Sequence, residues 1–221
     1  VKETLEAVYN VPVIVDHDVV LMTMAEYYLS ESGLPDNLAV LFIGRGIGCR
    51  CIINGEIYRG ISNRASEFGH LSLQTDGPAC YCGNHGCFER LANTEAIERE
   101  YGNGKSLEEI VELAVKGDER ANAVFRHAAG YIATAAANIL NLMDVEMLII
   151  NGDIVIAKNL IDDELHRQLR DRHLQNRNMD PDKVFFSGIG KKVGTLGPAL
   201  MAADRNFLKK GINIFPRRKI F

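Results

Sequence analysis

Three cysteines inside eight residues, Cys80-x-Cys82-x4-Cys87, constrain this chain more than any other feature it carries. Gly83 and Gly86 lie between them and permit tight reversal of the backbone, so three thiols can converge on one point. Zinc takes four ligands in a tetrahedron, and three sulfurs leave one position open. His70, upstream in Glu67-Phe68-Gly69-His70, is the natural fourth ligand. A site saturated by Cys80, Cys82, Cys87 and His70 has no position for water, so its role is structural. The competing reading is a surface loop of reduced cysteines. Three thiols held this close without a metal oxidise easily, which favours zinc.

The other two cysteines, Cys49 and Cys51, are two apart in an apolar run and share one face of a strand, as buried, unreactive thiols. Five cysteines in a chain of intracellular character argue against a disulfide framework. At 221 residues, with 47% apolar and 24% charged, the chain has ample material for a core. Nothing in it reads as a signal peptide or a membrane-spanning run, and the expectation is a cytoplasmic protein with no membrane partner. The net charge of -4 lacks the basic excess of a free-standing nucleic-acid binder. The one basic run, Arg217-Arg218-Lys219, is short and terminal and reads as a solvated tail.

Patterning gives the element order. Residues 1–9 read as a helix, Pro12-Val13-Ile14-Val15 as a strand, and 19–31 as a mostly buried helix. Residues 33–37 form a loop and the best hinge candidate. Strands follow at 38–43, 49–53 and 56–58, with hairpin chemistry at Asn54-Gly55. Residues 76–90 look held by metal more than by secondary structure. Ser106 and Glu109 make a capping box, Gly117 closes that helix, and Asp118 starts a longer, alanine-rich one to about Asn141. A buried strand at 146–150, a helix at 157–171, a strand at 183–186 and a helix at 195–209 complete an α/β pattern.

Glu67-Phe68-Gly69-His70 and Cys80-Tyr81-Cys82-Gly83-Asn84-His85-Gly86-Cys87-Phe88-Glu89 resemble the ExGH and CxCGxxGCxE signatures of the ROK family of sugar-responsive repressors and sugar kinases. The resemblance extends over nearly the whole chain. It takes in Asp16-His17-Asp18, Gly44-Arg45-Gly46-Ile47-Gly48, the segment 141–153 and Gly197-Pro198-Ala199. It implies the actin-like ATPase (ribonuclease H-like) sugar-kinase fold, in which sugar and nucleotide lie between two α/β lobes. By that comparison residues 1–36 are the end of the first lobe, 37–205 the second lobe with its zinc loop at 70–90, and 206–221 a C-terminal tail. The rest of the first lobe, its phosphate-binding hairpin and the winged helix-turn-helix of repressor members are expected outside this sequence. The resemblance also places His17, Asp18, Glu67, His70 and Glu89 on a monosaccharide, with His70 binding zinc through one ring nitrogen and facing sugar with the other. A homodimer or homotetramer is expected, with DNA contacted only through the winged helix.

Family kinases use the counterpart of Asp18 as general base. They usually read Asn-Asp-x-Asn, whereas His17-Asp18-Val19-Val20 resembles the glucose- and N-acetylglucosamine-type repressors. The nucleotide loop at Gly44, Gly46 and Gly48 is altered too. Arg45 replaces the usual threonine, and the family's Gly-Gly becomes Asn151-Gly152-Asp153, with a carboxylate near the nucleotide position. ATP binding is therefore doubtful. The expected function is the effector domain of a regulator of the N-acetylglucosamine- and xylose-repressor type, and the alternative is a fragment of an ATP-dependent sugar kinase acting on a hexose or N-acetylhexosamine.

Overall fold

Aliphatic runs separated by tight turns give the strands, and in the computed structural model they join into one mixed sheet. The structure describes residues 1–29, 35–172 and 183–206. The run at 217–219, hinge positions Gly33 and Leu34, and all but the first residue of the tail lie outside the described residues. In chain order the elements are α1 (Lys2–Tyr9), α2 (Asp18–Leu29), β1 (Leu38–Ile43), β2 (Ile47–Ile53), β3 (Glu56–Ile57), α3 (Phe88–Ala92), α4 (Thr94–Tyr101), α5 (Leu107–Val115), α6 (Glu119–Met143), β4 (Met147–Asn151), α7 (Lys158–Asp171), β5 (Val184–Phe186) and α8 (Val193–Asn206). The chain divides into a larger unit, residues 35–190, and a smaller one built from the segments on either side of it.

The sheet of the larger unit runs β3-β2-β1-β4-β5. Strands β1, β2 and β3 form an antiparallel meander, while β4 lies parallel to β1 and β5 parallel to β4. Asn54 and Gly55 both take positive φ, 53° and 75°, as a two-residue primed hairpin turn requires. One sheet face, carrying Ala39, Leu41 and Ile43 of β1, Cys49 and Cys51 of β2, and Leu148 and Ile150 of β4, shares a core with α6. The alternation expected of Cys49 and Cys51 is present, and both thiols are buried. Along α6 the buried side chains are mostly alanine, which lets helix and sheet approach closely around larger fillers such as Phe125 and Ile132.

Local chemistry sets the helix starts. Asp118 accepts a bond from Ala121 N at 2.7 Å, and Ser106 with Glu109 forms the expected reciprocal capping box. Two short helices, α3 and α4, lie where the sequence reading had none. Asn93 caps the second of them, its side chain accepting from Ala96 N at 2.7 Å.

In the smaller unit α2 packs on α8, with the Tyr28 hydroxyl donating to Asp204. Residues 12–15 differ from expectation: no strand forms there among the described residues. A strand needs a neighbour to satisfy its backbone, and Val13 N instead donates to Glu6 Oε1 of α1 at 3.0 Å. Among the described residues no helix is long and apolar enough to cross a membrane.

Candidate functional site

The cysteine loop is shaped by backbone bonds before any ligand is considered. Cys80 N donates to Asn84 O at 2.8 Å, Gly86 N to Pro78 O at 2.9 Å, and Leu73 N to Gly86 O at 2.9 Å. Gly86 sits at φ 60°, and a Cβ there would fall 1.7 Å from Gln74 O, so no other residue fits. The result brings together the four predicted ligands: their ligating atoms all lie within 4.8 Å of one another. Cys80 Sγ is 3.6 Å from His70 Nδ1, and Cys82 Sγ is 3.6 Å from Cys87 Sγ. A tetrahedral zinc with bonds of about 2.3 Å to sulfur and about 2.0 Å to nitrogen has edges of roughly 3.5–3.8 Å, so the cluster could hold that ion. Burial pushes the Cys87 thiol up to about 12, while the Asn84 backbone N–H lowers that of exposed Cys82. A bound cation offsets such a penalty, because coordinated thiols are deprotonated.

Beside the cluster stand two of the predicted carboxylates. Glu89, buried in the first turn of α3, accepts from Ile47 N at 2.8 Å through Oε2. The carbonyl of the same Ile47 lies 2.1 Å from where a Cβ on Gly69 would stand. Only glycine lets the single 3-10 turn Phe68–His70 close onto β2, and Ile47 thereby joins the two signature motifs. Glu67 precedes that turn, and its Oε1 accepts from Arg50 Nη2 at 3.1 Å. Each carboxylate thus has one oxygen committed to the protein. His70 turns Nδ1 to the sulfurs and Nε2 to the Tyr81 hydroxyl, 3.2 Å away, with the two rings edge to face.

His17 and Asp18 belong to the smaller unit and are both exposed. Asp18 opens α2 and its Oδ1 accepts from Val19 N at 2.8 Å; His17 N donates to Asp16 Oδ1 at 2.9 Å.

The glycine loop is tied to α3 and α4. Gly44 N donates to Gly46 O at 3.0 Å, Thr94 N to Gly44 O at 2.9 Å, and the Asn93 amide to the Arg45 carbonyl. Gly48 is the second residue of β2. The Arg45 guanidinium, 76% exposed, pairs with Glu95. Gly152, at φ 103°, leads into the 3-10 segment Asp153–Ala157, and Asp153 Oδ2 lies 3.1 Å from the Cβ position of Gly44. A carboxylate at this edge of the loop repels phosphate.

Sequence reasoning missed Arg50, Tyr81, Asn93 and Glu95. The cation interrupting the apolar run of β2 was a readable signal for Arg50. The others depend on contacts between segments remote in sequence.

The family model described as "ROK family" matches residues 1–205. The xylose repressor of Bacillus subtilis (strain 168) is 25% identical over 206 residues, covering 92% of this chain and 53% of the repressor. Among solved structures, the ROK hexokinase from Thermus thermophilus has a TM-score of 0.81 at 27% identity, covering 90% of this chain and 70% of the hexokinase. A ROK family transcriptional regulator, a homologue of the E. coli MLC protein, has a TM-score of 0.80 at 26% identity, covering 90% of this chain and 54% of that one. The chain spans about half the length of the curated repressors it matches. This likeness, with the mixed α/β sheet, shows the actin-like, ribonuclease H-like sugar-kinase fold.

Proposed function

This chain belongs to the ROK family, and from that premise we propose that it is the sugar-sensing, effector-binding and oligomerisation part of a transcriptional regulator. One contrast carries the reading. At the signature motifs, Glu67, His70 and Glu89 are retained, and the polar atoms they do not spend on Arg50, Cys80 and Ile47 are engaged by nothing larger than the Tyr81 hydroxyl. At the nucleotide loop, by contrast, there is an arginine paired to Glu95 and a carboxylate from Asp153 against Gly44. Phosphoryl transfer depends on positioning and charge stabilisation, and both are degraded at Gly44, Gly46, Gly48 and Gly152. Retained sugar-side residues beside altered phosphate-side ones suit a sensor.

In this reading a monosaccharide is held by His17, Asp18, Glu67, His70 and Glu89, with residues 1–36 ending the first lobe and 37–205 forming the second. Zinc is held by His70, Cys80, Cys82 and Cys87 and is structural. His70 serves both, through Nδ1 to metal and Nε2 to sugar. DNA is reached through a winged helix outside this sequence, in a cytoplasmic dimer or tetramer. Similarity to the xylose repressor supports the regulator, and similarity to the hexokinase supports a second reading, a sugar-kinase fragment with Asp18 as general base.

Calorimetry on the full-length protein with glucose, N-acetylglucosamine and xylose, each with and without ATP, tests the choice. The regulator binds a sugar and transfers no phosphate. Turnover in a coupled kinase assay that disappears in Asp18→Asn establishes the kinase instead.

A further inference from the structure

Arg50 is the one cation on β2, and its side chain is only 7% exposed. It projects from the opposite face of the strand to Cys49 and Cys51. A guanidinium withdrawn from water must have its donors satisfied and its charge matched. Here Nη1 donates to Cys49 O at 2.7 Å and Ala65 O at 2.8 Å, while Nη2 donates to Glu67 Oε1 at 3.1 Å. The segment it grips is strained, since Ser66, between the two contacted residues, sits at φ 65°. Glu67 is half exposed and attached to a loop, so without an anchor it would sample several rotamers.

We propose that Arg50 is a positioning residue for sugar recognition, fixing backbone and side chain of the 65–67 segment so that Glu67 presents a single oxygen, Oε2, to the sugar. This rests on the reading of Glu67 as a sugar contact. The geometry adds a restriction to that reading: Oε1 is engaged by Arg50, which makes Oε2 the oxygen that meets the sugar. Among the described residues no hydrogen bond to Oε2 competes with that role. Lysine could supply the charge at this position but not the fork that reaches two carbonyls and a carboxylate together.

The test is a double-mutant cycle on the full-length, zinc-loaded protein, titrated with glucose, N-acetylglucosamine and xylose. Glu67→Gln and Arg50→Met are each expected to weaken binding of the cognate sugar by roughly 10- to 100-fold, the range for a lost hydrogen bond to a charged group. The Arg50→Met/Glu67→Gln protein should be no weaker than either alone, and Arg50→Lys should recover part of the loss with an unchanged melting temperature and metal content. Arg50→Lys also carries the test if Arg50→Met does not fold: a role confined to stability predicts that it binds sugar in proportion to its folded fraction. The proposal is overturned if Glu67→Gln weakens binding while folded Arg50→Met or Arg50→Lys titrates within about twofold of wild type. It is also overturned if the two losses multiply. Wild-type affinity in Glu67→Gln removes Glu67 from the sugar site altogether, and the proposal falls with that reading.

Discussion

The cysteine loop and the helix α6 belong to the same unit and are held by different physics. Helix α6 runs for 25 residues from a capped start, burying twelve side chains against the sheet and its neighbours. The loop between the turn at His70 and α3 has no helix or strand of its own, only isolated bridges such as Ser72 to Cys87 and Ala79 to His85. Its apolar burial is slight, and the four side chains brought within 4.8 Å of one another could hold a metal ion in place of a core. The lesson is that the side chains proposed to meet sugar hang on the region with the least apolar burial, because His70 is part of the cluster and Glu89 follows Cys87 by two residues.

Removing the metal should break the comparison most severely. Structural zinc contributes roughly 10–16 kcal/mol in zinc-finger peptides, and that binding energy is folding energy. Chelator treatment is expected to depress the melting temperature sharply and expose residues 71–87 to protease before α6. A chelated protein that melts like the untreated one, with metal loss verified by elemental analysis, would show that the loop is held without an ion.

Phe125→Ala attacks the other region. Phe125 is fully buried in the core, and its truncation should cost about 3–5 kcal/mol. Urea unfolding should show the loss while metal content per folded chain stays constant; a parallel fall in metal would mean that the regions are not separable. A milder probe is Ser106→Ala, which removes the capping hydroxyl that accepts from Glu109 N and should cost about 1 kcal/mol. Its urea midpoint should shift accordingly, with the chelator response unchanged.

The smallest effect is a pH signature. Bonds from Arg167 and Gln168 hold the Glu164 carboxyl at about 2, below its ordinary 4.5. A depressed folded value means stabilisation that is complete above the ordinary value and is lost as pH falls toward 2. Glu164→Gln should therefore lower the melting temperature slightly at neutral pH, with the gap closing over that acid interval. Metal release is also proton-driven but begins from thiolates, so acid titration should open the loop well before it touches α7. Simultaneous loss of metal and of the Glu164 contribution would contradict that order.

Much of the architecture was readable because its signals are local. The Asp118 cap, the Ser106 and Glu109 box, the Asn54-Gly55 turn and the run 38–43 each carry their own explanation, and each element lies where it was expected. The strand at 12–15 was misread because apolar patterning reports burial preference and cannot supply a pairing partner. Helices α3 and α4 were missed through shortness, although Asn93 three residues ahead of Ala96 was a usable cap signal. At the site, the gathering of His70, Cys80, Cys82 and Cys87 was legible from spacing. The approach of His70 Nδ1 to Cys80 Sγ, the hold of Arg50 on Glu67 and the turning of Arg45 to Glu95 were not, since each needs two separate segments placed together.

The pairing of α2 with α8 has a bearing on the order in which the molecule acquires its structure. These helices are separated in sequence by the whole of the larger unit, so a chain emerging from the ribosome has completed residues 35–190 before α2 can meet its partner. Most contacts of the larger unit lie within its own span, and it can condense before α8 reaches α2. Closing so long a loop is entropically cheap per added residue but arrives late. Among the described helices the mostly apolar α2 is thus the one whose partner here is synthesised last.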